Sequence, residues 1–366
     1  MSNIWKKYAN VLVDYCTGIK KDDLVIIKGA AHAQPLIHAV YDEVLKRGAN
    51  PIVRISIDGL NESFYRYAND DQLAYIDPIT ELEYDKVNKV ISIGAPYNTK
   101  SLAKADPKKL AKRSSATKHL SNKFLNKAAE GKLDWVICDF PTNALAQEAK
   151  MSLYEYEEFL LNSCYLHLDN PVEKWKEIGE LQEKYAEYLT KTSKLRIVGH
   201  KTDITFSTEG RKWINCCGKN NFPDGEVFTS PVEDSANGEI YFDFPAIYRG
   251  NEAQGIHLKL ENGKVVHATA EKGEDFFLNM INQDEGARFV GEIAIGTNDM
   301  IQDVTGNILF DEKIGGSIHM ALGSSYPETG GKNESGLHWD IIKNMKNGSE
   351  IYADDKLIYK DGKFLI

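Results

Sequence analysis

Between residues 24 and 141, short apolar runs alternate with segments whose apolar positions recur at helical spacing. LVIIKG follows Asp22 and Asp23 and has the uninterrupted apolar character of a buried strand. Pro35 opens a helix that carries Leu36, Ile37, Val40, Val44 and Leu45 on one side and stops at Gly48. Pro51–Ile57, KVISIG at 89–94 and LDWVICDFP at 133–141 are further strands, and the Lys-rich segment 101–131 is helical with a solvated face. An amphipathic helix over residues 4–17 precedes them, with Ile4, Val11, Leu12, Tyr15 and Cys16 on its apolar side. This alternation predicts a parallel sheet with helices on its faces.

Residues 142–192 continue as helix, from Glu155 to Cys164 and from Pro171 to Lys191. The period then changes to two. DITFS, EIYFDF, GIHLKL and VVHATA alternate apolar and polar positions, and Asn262-Gly263 marks a tight hairpin turn. One helix, Asp275–Asn282, interrupts them, and EIYADD, KLIYKDG and KFLI repeat the hairpin habit at the C-terminus. The fold class is therefore α/β. An N-terminal α/β domain over residues 1–192, with a mostly parallel sheet, precedes an α+β domain over 193–366 built on mixed or antiparallel sheet.

Composition narrows the function. With 366 residues, 42% apolar and 27% charged, the chain can bury substantial cores. A net charge of -10 and a pI near 5.5 argue against nucleic acid or an anionic membrane as a partner. No apolar stretch approaches the roughly 20 residues of a membrane span, and MSNIWKKYANVLVDYC lacks a signal-peptide cleavage site. Cys16, Cys138, Cys164, Cys216 and Cys217 are odd in number and fit no zinc-knuckle spacing, so a reducing cytoplasm is expected. KGAAHAQP follows a strand and opens a helix, but it has neither the spaced glycines nor the Gly-Lys-Ser/Thr of a nucleotide loop.

Candidate chemistry collects after residue 220. Asp311–Asp340 reads DEKIGGSIHMALGSSYPETGGKNESGLHWD and sets Glu312, His319, Tyr326, His338 and Asp340 among six glycines. In an extended segment His338 and Asp340 project from one face, with Trp339 turned the other way. Taken alone, that pair is a hydrogen-bonded His and Asp on a strand surface. Glu226 and Glu292 each follow a glycine within an apolar context, where an unpaired carboxylate is costly. Either acid alone is best read as pointing to water. Taken with His319, His338 and Asp340, the pair favours a divalent metal, since imidazole and carboxylate suit Zn, Co and Mn. The other seven histidines, and Asp203, have surface or packing contexts.

FPDGEVFTSP around Glu226, GEIAIGTN around Glu292, HMALGSSYPETGG around His319 and Tyr326, and NESGLHWDII around His338 and Asp340 resemble the aminopeptidase T family of metallo-aminopeptidases, of the AmpS and PepS type. The opening DDLVIIKGAAHAQPLIHAVYDEVLKRGANPIV is also similar, so the resemblance spans nearly the whole chain. It implies a dimeric cytoplasmic enzyme that removes N-terminal residues from peptides with two divalent metals in its C-terminal domain. The ligands it implies are Glu226, Glu292, His319, His338 and Asp340, with Tyr326 at the site. That family carries an Asp-Glu pair shortly before its first histidine. Here Asp311-Glu312 is followed by the longer KIGGSI, so Glu312 is a sixth ligand candidate whose reach depends on that gap.

Paired ions can lower the pKa of a shared water towards ~7. Glu226 or Glu292 is expected to bridge them, Glu292 to serve as general base, and Tyr326 to donate to the oxyanion. The same residues would serve a dinuclear dipeptidase or an amidase on another small amide. A non-catalytic peptide-binding homologue is the reading from a different class.

Overall fold

The computed structural model describes residues 2–366. By its internal contacts the chain groups into two compact units, Met1–Val172 with Gly218–Phe222, and Glu173–Cys217 with Pro223–Ile366.

The first unit carries the parallel sheet. Its strand order is Asn50–Ser56, Leu24–Ala30, Lys89–Gly94, Asp134–Asp139 and Asn221–Phe222, and every pairing is parallel. Val25, Ile27, Ile91 and Val136 on one face, and Ile26 and Val90 on the other, are buried, as expected for strands covered on both faces. Helices begin where their caps dictate. Asp106 accepts the Lys108 N–H ahead of Pro107, and Ser152 and Glu155 form a reciprocal capping box. The first expected helix is present, but only Ser2–Asn10 is α-helical. Val11–Cys16 winds as a π-helix, and both the N–H and the hydroxyl of Thr17 donate to the Leu12 carbonyl.

The second unit holds two large antiparallel sheets and a two-stranded one, Ala246–Tyr248 with Asn251–Ala253. Eight strands run in the order Lys264–Thr269, Ile256–Glu261, Asn237–Phe242, Thr202–Ser207, Lys194–Gly199, Glu350–Ala353, Lys356–Lys360 and Lys363–Phe364. Five run in the order His338–Asn344, Ser317–Gly323, Val290–Gly296, Glu226–Thr229 and Ile214–Cys216. One hydrophobic cluster joins them, with Ile204, Ile240 and Leu258 from the larger sheet and Ile293, Met320 and Ile341 from the smaller. Asn262 and Gly263 have φ of 49° and 80°, the conformation that the Asn-Gly hairpin requires.

The sequence pattern puts a domain boundary at 192/193, whereas the compact units divide at 172/173. The difference is helix Pro171–Thr190, whose Ala186 and Leu189 bury in the core of the second unit. The return of Gly218–Phe222 to the parallel sheet has no signal in local periodicity.

Trp339 is 2% exposed and packs against Tyr248, Phe276 and Phe277. Trp339→Ala is expected to lower unfolding stability by about 3–5 kcal/mol, the scale of emptying an aromatic core site. Denaturant unfolding followed by far-ultraviolet dichroism checks this.

Candidate metal centre

The site is built on one face of the five-stranded sheet. Register places Glu292 opposite Ala321 and Ala321 opposite Asp340, so two carboxylates flank a methyl group. The next row pairs Ala294 with His319 on one side and Phe228 on the other, and Gly296 lies opposite Glu226. Alternation along each strand sends Ile293, Ile318, Met320 and Trp339 to the opposite face, into the core. Small residues between the long polar ones leave room for those side chains to converge. Ala321→Leu would fill the gap between Glu292 and Asp340. It is expected to weaken metal binding by about 10-fold or more while the protein stays folded, as read by elemental analysis beside dichroism.

Both Gly-Glu pairs have a steric origin. The strand bulges between Val290 and Glu292, and a Cβ on Gly291 would collide with the carbonyl oxygens of Gly323 and Ser324. Gly225 has φ of 131°, and a Cβ there would stand 2.8 Å from the Cβ of Asn298. Each glycine lets the next residue, a glutamate, enter the buried face. Glu226 and Glu292 are 5% and 4% exposed, so neither points to water.

Each imidazole is oriented from behind. His338 donates Nδ1–H to the Ser324 carbonyl at 2.8 Å, and His319 donates Nδ1–H to the Glu312 carbonyl at 3.1 Å. Carbonyl oxygens only accept, so both Nε2 atoms are left to face the site. Glu292 spans them, with Oε1 at 3.5 Å from His319 Nε2 and Oε2 at 3.2 Å from His338 Nε2. A second carboxylate oxygen completes each end. Glu226 Oε2 lies 3.5 Å from His319 Nε2, and Asp340 Oδ1 lies 3.4 Å from His338 Nε2. Both of these oxygens are buried without a hydrogen-bond partner.

These spacings provide the test of fit for metal. Donors around a four-coordinate ion with bonds of about 2.1 Å stand roughly 3.4 Å apart. The two orphaned oxygens are those that a cation would satisfy, and the N/O donor set suits a divalent ion. Oxygen and nitrogen atoms of Glu292, His338 and Asp340 lie within 4.8 Å of one another, as do those of Glu312, His319 and Asp340. Glu312 is thus brought to the cluster despite the longer gap before His319. Tyr326 stands at the edge, its hydroxyl 3.4 Å from His338 Nε2 and its ring edge-on to His338 and Phe228. All of the residues singled out from sequence converge.

Two partners were not foreseen. Lys313 is 1% exposed, with Nζ 2.5 Å from Glu226 Oε1, 2.7 Å from Glu312 Oε1 and 3.4 Å from Asp224 Oδ1. Lysines seldom bury, and nothing in its spacing marked this one. Gln182, on helix Pro171–Thr190, donates to the carbonyls of Glu226 and Cys216 and fixes the start of the Glu226 strand. Asp311 lies apart from the metal donors. Its carboxylate accepts from the Thr305 N–H and hydroxyl and from the Gly306 N–H, and so holds the turn that leads into Glu312.

Burial pushes the Glu226 carboxyl up to about 8, against the pull of Lys313 and His319. Burial also disfavours ionisation of Asp340, but His338 holds it down at about 2, and both histidines hold Glu292 below the usual range. Burial alone would lower the imidazoles, yet the carboxylates around them raise His319 to about 10 and His338 to about 11. Burial pushes the Tyr326 phenol up, with Glu292 and Asp340 adding to it, so its proton stays on. The carboxylates that hold protons on the two imidazoles would equally favour a metal cation in place of those protons. Concavity alone would point elsewhere. An open crevice of about 670 Å³ in the first unit, lined by Lys28, Arg54, Ser92 and Tyr97, contains none of the metal-donor groups found among the described residues.

The family described as thermophilic metalloprotease (M29) matches residues 1–364. Aminopeptidase 2 of Geobacillus stearothermophilus is 24% identical, with 99% of this chain and 96% of that protein covered. Aminopeptidase PepS of Streptococcus thermophilus is 26% identical, with 99% and 98% covered. The solved structure of wild-type AmpT from Thermus thermophilus superposes with a TM-score of 0.87 at 21% identity, covering 100% of this chain and 99% of that one. At that identity the likeness shows the shared fold, with its parallel-sheet α/β part and its antiparallel sheets.

Proposed function

The chain belongs to the M29 metalloprotease family, and from that premise we propose that it is a metal-dependent aminopeptidase removing N-terminal residues from peptides. One observation carries the reading. Glu292 spans two histidines whose Nε2 atoms each also meet an unpartnered buried carboxylate oxygen. The similar proteins named as aminopeptidases support the exopeptidase assignment. Glu292, His338 and Asp340 would hold one divalent ion, and Glu292, His319 and Glu226 a second, drawn from Zn, Co or Mn.

Bound there, such ions supply Lewis acidity and lower the pKa of water towards ~7. The remaining roles belong to side chains. Both oxygens of Glu292 face imidazole nitrogens, so we assign it to holding metal and positioning the histidines rather than to proton transfer. Proton transfer falls to Glu312, whose side chain is 15% exposed, more than those of Glu226, Glu292 and Asp340. Burial raises its carboxyl pKa, which suits a group that takes up a proton and passes it to the leaving amine. Tyr326 keeps its proton and donates it as a hydrogen bond to the developing oxyanion. Tyr326→Phe is expected to lower kcat about 10²-fold with unchanged bound metal, measured by steady-state kinetics beside elemental analysis.

The setting fits a cytoplasmic homodimer, as the resemblance implies. No disulfide links the five cysteines, and among the described residues no helix is long and apolar enough to cross a membrane. A panel of aminoacyl amides, dipeptides, longer peptides and N-acetylated peptides tests the function, run after chelation and re-addition of Zn, Co or Mn. Metal-dependent release of the first residue from free N-termini alone is the expected result. Cleavage of blocked peptides would overturn the aminopeptidase reading.

A further inference from the structure

We infer that Lys313 makes the two cation positions unequal, so that the chain fills its Glu292–His338–Asp340 end first and its Glu226–His319 end only at higher free metal. This rests on the metal-centre reading above and adds to it an order of filling.

The asymmetry is geometric. The Lys313 ammonium touches Glu226 Oε1 at 2.5 Å and Glu312 Oε1 at 2.7 Å, with Asp224 Oδ1 at 3.4 Å. Glu226 is the carboxylate whose other oxygen meets His319 Nε2, and Glu312 is the residue whose carbonyl holds His319 Nδ1. The ammonium therefore sits on the His319 end. Among the described residues its ion pairs reach neither Asp340 nor Glu292, two of the three donors at the His338 end.

Two effects follow. Glu226 has one oxygen engaged by Lys313, so it offers a cation a single oxygen there. A fixed positive charge also pairs directly with carboxylates at one position and with none of the donors at the other. Lys313 is 1% exposed, so water screens this repulsion poorly. It cannot swing aside without leaving three carboxylates behind. Occupancy of the second position, and the turnover that depends on it, should then follow the free metal concentration.

The test is a titration of the chelator-stripped full chain with Co²⁺, followed by calorimetry and by the visible absorption of the bound ion. The expected result is two steps whose Kd values differ at least about tenfold. Lys313→Met should tighten the second step towards the first, with two ions still bound. Glu226→Gln, in which Lys313 is kept, should abolish the second step and leave the first. One step of two equivalent ions in the unaltered protein would overturn the proposal, as would loss of the first step in Glu226→Gln. A second step left as weak in folded Lys313→Met would overturn the role of Lys313, and should that variant fail to fold, Lys313→Gln takes its place. Failure of the unaltered protein to bind any Co²⁺ would overturn the metal-centre reading as well, a result distinct from two equal steps.

Discussion

Replacing Glu292 by Gln is expected to bring turnover to background and to release most of the bound metal. The amide keeps the shape of the side chain but loses the charge and one of two equivalent oxygens. In the native chain those oxygens stand 3.5 Å and 3.2 Å from the two Nε2 atoms, so each end of the site depends on the same carboxylate. Strand Val290–Gly296 is buried at every position, so water cannot take over the missing donor. A residue acting only as general base would give a different outcome, loss of rate with metal retained. Elemental analysis of the variant beside a peptidase assay separates the two. Far-ultraviolet dichroism should show the sheet intact, because Ile293 and Ile295 still fill the core.

Glu312→Gln should show that second pattern. Its side chain is the most exposed carboxylate of the cluster, and its backbone carbonyl, unaltered by the substitution, still orients His319. Turnover is expected to fall about 10²–10⁴-fold, the range for removing a general base, with metal content close to that of the unaltered protein. Loss of metal instead would make Glu312 a ligand that the site cannot do without. The pH–rate profile adds a check. Burial raises the Glu312 carboxyl, and a group raised in this way is an active base only above its own pKa. The acidic limb of kcat should accordingly disappear in the variant.

Much of this arrangement was legible along the chain because it follows local periods. The apolar runs LVIIKG and KVISIG gave a parallel sheet, and alternation placed His338 and Asp340 on one face with Trp339 in the core. The two Gly-Glu pairs were visible as oddities. Their cause was not, because the backbone that crowds Gly291 comes from residues 323–324 and the residue that crowds Gly225 is Asn298. Strand Ser317–Gly323 gave no alternation to read, since every one of its residues is buried. Lys313 escaped notice for a related reason. Its three carboxylate partners include Glu226, 87 residues away in sequence, and only the folded register unites them. Helix Pro171–Thr190 has an ordinary charged, amphipathic pattern. The buried Gln182 that ties it to the Glu226 strand is a single residue without periodic signature.

Anomalous diffraction from crystals of the active protein grown with Zn²⁺ or Co²⁺ tests the central claim most directly. The account predicts metal peaks within bonding reach of Glu292, the stronger beside His338 and Asp340 and the weaker beside His319 and Glu226. Metal bound elsewhere in active crystals, with Glu292 hydrogen-bonded only to the two histidines, would contradict it.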